Sequence, residues 1–301
     1  MTGSGSNQDP GNASGFLSQL MNGLPVTDRT LEVGETSTPV LEGGAGSPVV
    51  LLHGIGGYAQ EWSLVIPRLV GRHRVVVPDL PGLGRSRVGA GRVDAASAVD
   101  WLGHVIDQTC AEPPTLVGHS LGGSIAARFA IEHGDRVRQV ILVDSTSLSR
   151  QRPAPGLVMA ILRFGARPTL TNHDRFLRQV LFDPERAKAL WGDRWSATAG
   201  YEIELAHNKD VSRATGQLLR RIANRRIPRE QLAGMTVPVA LIWGTQDRLM
   251  KYGIARQTAD QLRWPLYPIQ DCGHGPHIER PETFVEALEA AMAVPSSATG
   301  G

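Results

Sequence analysis

Three residue types that together perform acyl transfer stand far apart in this chain, each on a short polar loop behind an apolar run. Ser120 is centred in Gly118-His119-Ser120-Leu121-Gly122, after Thr115-Leu116-Val117 and before the helical stretch Ser124 to Ala130. A serine on so sharp a strand-to-helix turn needs small residues two positions to either side, because a Cβ there collides with the adjoining backbone. The helix that follows offers free N–H groups and partial positive charge to an alkoxide or oxyanion. Asp247 closes Gly244-Thr245-Gln246-Asp247 behind the β-leaning run Val237 to Trp243, and His274 sits in Asp271-Cys272-Gly273-His274-Gly275 behind Leu266-Tyr267-Pro268-Ile269. Ser, then Asp, then His is the chain order that a nucleophile on this kind of turn uses, with the imidazole as general base and the carboxylate orienting it. His277 is the rival base, and Asp144, closing Val140-Ile141-Leu142-Val143, the rival acid.

Such loops meet only if a parallel sheet gathers them at one edge. From Val49 onward apolar runs alternate with helical stretches at 62–70, 95–109, 254–262 and 281–292. That βαβ rhythm predicts an α/β fold, a mainly parallel doubly wound sheet with helices on both faces. The rhythm breaks between Ser145 and Thr236, where helical patches at 157–164, 175–181, 185–191 and 217–224 predict a cap inserted after the strand ending near Val143. Such a lid shapes an acyl pocket and excludes water. The expected organisation is therefore a flexible tail over residues 1–24, a core over 25–144 and 237–301, and a helical cap over 145–236. Trp191, Trp195, Tyr201 and Met159 are the candidate pocket residues, with packing between helices as their other role.

Together these segments resemble the α/β-hydrolase fold superfamily, as a serine esterase-like member with a helical cap. The resemblance is carried by His53-Gly54-Ile55-Gly56-Gly57 after the strand 49–52, by Pro78-Asp79-Leu80-Pro81-Gly82-Leu83-Gly84-Arg85-Ser86, by the serine turn continued in Gly123, by the Trp243 to Asp247 loop, and by Gly273-His274. It spans residues 48–284 and implies an α/β-hydrolase fold, a Ser120-His274-Asp247 triad, and an oxyanion hole from the backbone N–H groups of Ile55 and Leu121. Epoxide hydrolases and haloalkane dehalogenases of this fold carry an aspartate where Ser120 stands. Lipases and esterases with a His-Gly-Gly-Gly loop differ at Ile55, which interrupts the glycines.

The expected function is hydrolysis of a small to medium carboxylic ester through an acyl-enzyme, with no cofactor and no metal. A C–C bond hydrolase acting on a vinylogous diketone is the alternative. Relatives of that kind commonly continue with Gly-Pro-Gly after the His-Gly loop and carry Ser-Met-Gly-Gly at the turn, where this chain has Gly57-Tyr58 and Leu121. A non-catalytic ligand receptor is a third possibility, and an NAD(P)-dependent oxidoreductase a fourth. Gly54-Ile55-Gly56-Gly57-Tyr58-Ala59 with Asp79 further on fits a dinucleotide fingerprint. Against it, Glu61 puts a carboxylate where the phosphates would go.

With 301 residues, 41% hydrophobic and 20% charged, the chain has material for one large core and an insertion. Its charge is uneven: Ser145 to Thr236 holds sixteen Lys and Arg against eight Asp and Glu, the remainder fifteen against twenty-one. A basic lid attracts anionic substrates or an acidic surface, or is simply a solvated helical face. Arg220-Arg221 and Arg225-Arg226 lack the interleaved aromatics of a single-stranded nucleic-acid site, so the expected partner is a small-molecule ester. Cys110 and Cys272 are too few for a disulfide framework, and Cys272 reads as a small buried filler rather than a reactive thiol. Met1 to Ser14 has neither a basic n-region nor an apolar h-region, and no segment approaches ~18 unbroken apolar residues. The expectation is a cytoplasmic protein without a membrane span.

Overall fold

The structure, a computed structural model, describes residues 12–89, 92–149 and 154–293. Its strands are β1 (Thr27–Val33), β2 (Thr36–Gly43), β3 (Pro48–Leu52), β4 (Arg74–Pro78), β5 (Arg87–Val88), β6 (Thr115–His119), β7 (Gln139–Val143), β8 (Val239–Gly244) and β9 (Leu266–Ile269). They form one sheet in the order β1-β2-β4-β3-β6-β7-β8-β9, with β5 beside β2. Pairing is antiparallel from β1 to β2 and from β2 to β4, and parallel from β4 through β9.

The parallel strands are uninterrupted apolar runs because both of their faces are covered. Alternate residues enter opposite cores: Val50 and Leu52 of β3 join Leu116, Val140, Leu142 and Leu241 on one face. Val49 and Leu51 join Val117, Ile141, Val143 and Ile242 on the other. The covering helices are α1 (Asn12–Met21), α2 (Ile66–Leu69), α3 (Ala95–Thr109) and α4 (Leu121–Glu132). Asp94 starts α3 with a capping box, accepting from Ser97 N while Ser97 Oγ accepts from Asp94 N.

Between β7 and β8 the chain is helical: α5 (Pro155–Ala166), α6 (Leu170–Val180), α7 (Pro184–Trp191), α8 (Arg194–His207), α9 (Lys209–Leu218) and α10 (Arg229–Ala233). Thr169 and Asp183 cap α6 and α7 through their side chains, and Pro184 occupies the first position of α7, where its missing N–H costs nothing. After β8 come α11 (Tyr252–Leu262), α12 (Pro276–Glu279) and α13 (Pro281–Ala293).

The structure differs from the sequence expectations at the amino-terminal end. Residues 12–21, expected within a tail, form α1, which packs on α8, with Leu20 fully buried and the Phe16 ring against Gly200. The remaining tail residues 1–11 lie outside the described residues. The hairpin β1–β2 precedes the βαβ rhythm that begins at Val49, and only the last part of β1, Leu31 and Val33, is buried. The helix expected over 62–70 is a 3-10 turn at Ala59–Trp62 followed by one turn of α2, whose start Pro67 marks.

Because β3, β6, β7, β8 and β9 run parallel, the loops after their carboxyl ends lie along one edge. Those loops carry Gly54 and Ile55, Ser120, Asp144, Asp247 and His274.

Candidate active site

Ser120 joins β6 to α4 at φ 51° and ψ −110°, a conformation that L residues rarely adopt. The turn is held by its own backbone. Ser120 N donates to Val143 O at 2.8 Å, and Ser120 O accepts from Thr146 N at 3.1 Å and from Ser124 N at 3.3 Å. The flanking glycines do what their spacing predicts. A Cβ on Gly118 would lie 2.5 Å from Gly122 backbone atoms, and one on Gly122 would lie 2.5 Å from Leu52 O.

His274 Nε2 accepts from Ser120 Oγ at 3.0 Å, and His274 Nδ1–H donates to Asp247 Oδ2 at 2.7 Å. The other oxygen of Asp247 accepts from Leu249 N at 2.7 Å and Met250 N at 2.9 Å. Both carboxylate oxygens are thereby occupied, which fixes the imidazole tautomer that leaves Nε2 free to take a proton. The three side chains are nearly closed off from solvent: Ser120 is 3% exposed, His274 5% and Asp247 6%. Leu121 is the first residue of α4, so its N–H has no partner within the helix. The loop bearing Ile55 runs beside the serine, since a Cβ on Gly54 would sit 3.3 Å from Ser120 Cβ.

The rivals are close by but engaged otherwise. Asp144 lies beside the same imidazole, fully buried at φ 41°; its Oδ1 accepts from Gly244 N at 2.9 Å and its Oδ2 has no partner among the described residues. Burial and the nearby Asp247 carboxylate push its pKa well up from the ordinary carboxylate value. His277 stacks on Trp62 with ring centroids 4.1 Å apart, and its Nε2 faces Glu61 Oε1 at 3.4 Å. It belongs to a layer behind the loop that carries Ile55.

That layer is not apparent from the sequence motifs. Glu61 accepts from Gly54 N at 3.3 Å and faces His119 Nδ1 at 3.6 Å. Despite burial, the surrounding histidines hold its pKa below the usual carboxylate range. His119 Nε2–H donates to the carbonyl of His274 at 2.7 Å, and burial drives the His119 pKa down to about 4. A neutral imidazole thus braces the backbone of the catalytic-base candidate. Glu61, His119 and His277 have ligand spacing for a metal ion, as do His119, Asp144 and His274.

Glu279 forms a second brace. Its Oε1 accepts from Gly273 N at 2.7 Å, and its Oε2 from Phe182 N at 2.7 Å and Asp183 N at 3.1 Å, while His274 N donates to Val180 O at 2.9 Å. Burial pushes the Glu279 pKa up and these donors pull it back, leaving it above its ordinary value. The segment linking α6 to α7 is thereby stitched to the His274 loop. Burial also pushes the Cys272 thiol up, as befits a packing residue.

The residues of the dinucleotide fingerprint do other work. Asp79 accepts from Ala59 N at 2.8 Å and Arg85 N at 2.9 Å, so both oxygens serve turns. His53 donates from Nδ1 to Gly54 O and accepts from Leu80 N, which ties two loops together. Of the candidate pocket residues, Trp191 is buried and donates to Ile278 O at 3.3 Å. Tyr201 packs edge-on against Tyr58, and Trp195 is partly buried against the core. Met159 is corrected: on α5 it points outward, 48% exposed.

Residues 49–287 match the model of the alpha/beta hydrolase family, and the chain belongs to that family. Among its relatives is the pimeloyl-[acyl-carrier protein] methyl ester esterase of Nitrosomonas europaea, 30% identical over 258 residues, covering 82% of this chain and 96% of that one. The 2-hydroxymuconate semialdehyde hydrolase of a Pseudomonas species is 29% identical over 278 residues, covering 88% and 93%. Among solved structures, the 2-hydroxy-6-oxo-6-phenylhexa-2,4-dienoate hydrolase of a Rhodococcus species superposes with TM-score 0.78 at 24% identity, covering 89% of this chain and 98% of that one. The carboxylesterase CesB of Bacillus subtilis gives 0.78 at 17%, covering 94% and 97%. At these identities the superpositions speak for the fold alone. No helix among the described residues is long and apolar enough to cross a membrane.

Proposed function

We propose that this protein hydrolyses a small to medium carboxylic ester through an acyl-enzyme on Ser120. What carries the reading is the relay of 3.0 Å and 2.7 Å from Ser120 Oγ through His274 to Asp247, built on a serine held at φ 51°. As Oγ attacks the acyl carbon, its proton passes to His274 Nε2 and the imidazolium is stabilised by Asp247. Negative charge develops on the former carbonyl oxygen, which the N–H groups of Leu121 and Ile55 receive. The alkoxide leaves with the proton from His274. The same nitrogen then deprotonates a water that attacks the acyl-enzyme, which frees the carboxylate and Ser120.

The kinship to the Nitrosomonas esterase supports the ester as substrate. The kinship to the Pseudomonas semialdehyde hydrolase favours, as second reading, C–C cleavage by the same three residues. The test is fluorophosphonate labelling with mapping of the adduct, followed by turnover of p-nitrophenyl esters of increasing acyl length and of a vinylogous diketone. We expect labelling at Ser120 and ester turnover that Ser120→Ala lowers by about a million-fold with the fold retained. Labelling elsewhere, or turnover surviving in Ser120→Ala, would overturn the assignment. Turnover of the diketone alone would replace the ester by the second reading.

A further inference from the structure

All eight of the exposed large hydrophobic residues among the described residues lie between Val158 and Leu219, within the helical insertion. Five cluster in α5 and at the start of α6: Val158, Met159, Ile161, Leu162 and Leu170, with Leu162 at 60% and Leu170 at 61% exposure. Helix α5 buries Leu157 and Ala160 and stacks Phe164 on Phe176 of α6. At about 100° per residue, Ile161, Gly165, Val158, Leu162, Ala166 and Met159 then form an outward arc about 160° wide without a polar side chain. A soluble helix normally puts its polar residues there. Being apolar on both sides is the mark of a helix that has a second apolar medium to enter.

The rim of this arc is cationic. Arg163 follows it on α5, Arg167 lies in the connection, and Arg175 and Arg178 project from α6, all exposed, with Asp174 as the carboxylate among them. Arg178 reaches Glu185 only at 3.9 Å and Arg175 bonds the Asn172 amide. Arg163, Arg167 and Arg175 have no carboxylate partner among the described residues. His173 faces Glu202 and is buried, so it does not reach the rim.

We infer that the outer face of α5, with its arginine rim, is a docking surface for an anionic phospholipid bilayer. The apolar arc enters the boundary of headgroups and acyl chains, and the unpaired guanidiniums meet phosphate oxygens. Charge selects this occupant over a second copy of the chain. Two such faces apposed would bring unpaired arginines against one another, whereas an anionic surface neutralises them.

The test is co-sedimentation with vesicles of phosphatidylcholine containing roughly a third phosphatidylglycerol, compared with phosphatidylcholine alone, and with sedimentation equilibrium in the absence of lipid. Thermal melting is the fold control, so the result does not depend on enzymatic turnover. The full chain should pellet with the anionic vesicles and far less with neutral ones. Ile161→Glu with Leu162→Glu should weaken partitioning more than about ten-fold. Replacing Arg163, Arg167 and Arg175 by Gln should weaken it by about five-fold per arginine. No pelleting, pelleting that these folded variants retain, or equal pelleting with neutral vesicles would overturn the inference. So would a dimer in free solution that Ile161→Glu with Leu162→Glu splits, which would give the face to a second copy.

Discussion

Around Ser120 the backbone itself holds the side chains of the candidate site, whereas on α5 and α6 the side chains are held by little. At the sheet edge Ser120, the His274 loop and both Asp247 oxygens each have named N–H or C=O partners. On the outer face of α5 and α6 an apolar arc faces water and three arginines have no carboxylate partner among the described residues. Geometry specified by backbone hydrogen bonds is preorganised, as proton transfer needs. Side chains left unsatisfied in one direction await something from that direction.

The contrast is sharpest between two buried carboxyls beside one imidazole. Asp247 receives Nδ1–H and orients the ring; Asp144 has its pKa pushed up by burial, and one of its oxygens has no partner among the described residues. Asp247→Asn should lower kcat about 10⁴-fold by holding the wrong tautomer, whereas Asp144→Asn should stay within about three-fold, because the amide keeps an oxygen to accept from Gly244 N. Equal losses, measured with the same p-nitrophenyl ester, would erase the distinction.

The boundary between the two regions gives the next largest effect. Gln at Glu279 keeps one acceptor oxygen where Gly273, Phe182 and Asp183 now share two. Glu279→Gln should lower kcat about ten-fold with KM unchanged. A fall in melting temperature with kcat preserved would make Glu279 a structural tie only.

The smallest effect is on stability, and its sign follows from His119. Its pKa is about 4 in the fold against an ordinary 6.5, so the unfolded chain binds the proton more tightly. The contribution is present in full above pH 6.5 and is lost as pH falls through 4, on the order of 3 kcal/mol. Chemical denaturation at steps across that window should show a slope that His119→Asn flattens. Asp144, shifted the other way, is common to both proteins and drops out of the difference. Parallel profiles would remove His119 from the account.

The serine turn was legible because its rule is steric and local: Gly118 and Gly122 flank it for reasons visible in five residues. Asp247 and His274 followed from strand ends, which uninterrupted apolar runs announce. Glu61 and Glu279 were not legible. Glu61 sits in a 3-10 turn that reads as a helix, and two of the three backbone partners of Glu279 lie 96 and 97 positions earlier. Helix α1 escaped for a related reason, since its burial against α8 is a long-range contact that its Gly- and Ser-rich surroundings obscure. The outward arc of α5 was present in the sequence, but an apolar helix reads as core until its neighbours are placed.

The seam at Val180, Phe182 and Asp183 has a mechanical consequence. Because Gly273, His274 and the segment entering α7 share these hydrogen bonds, any displacement of that segment is passed directly to the loop that carries the imidazole.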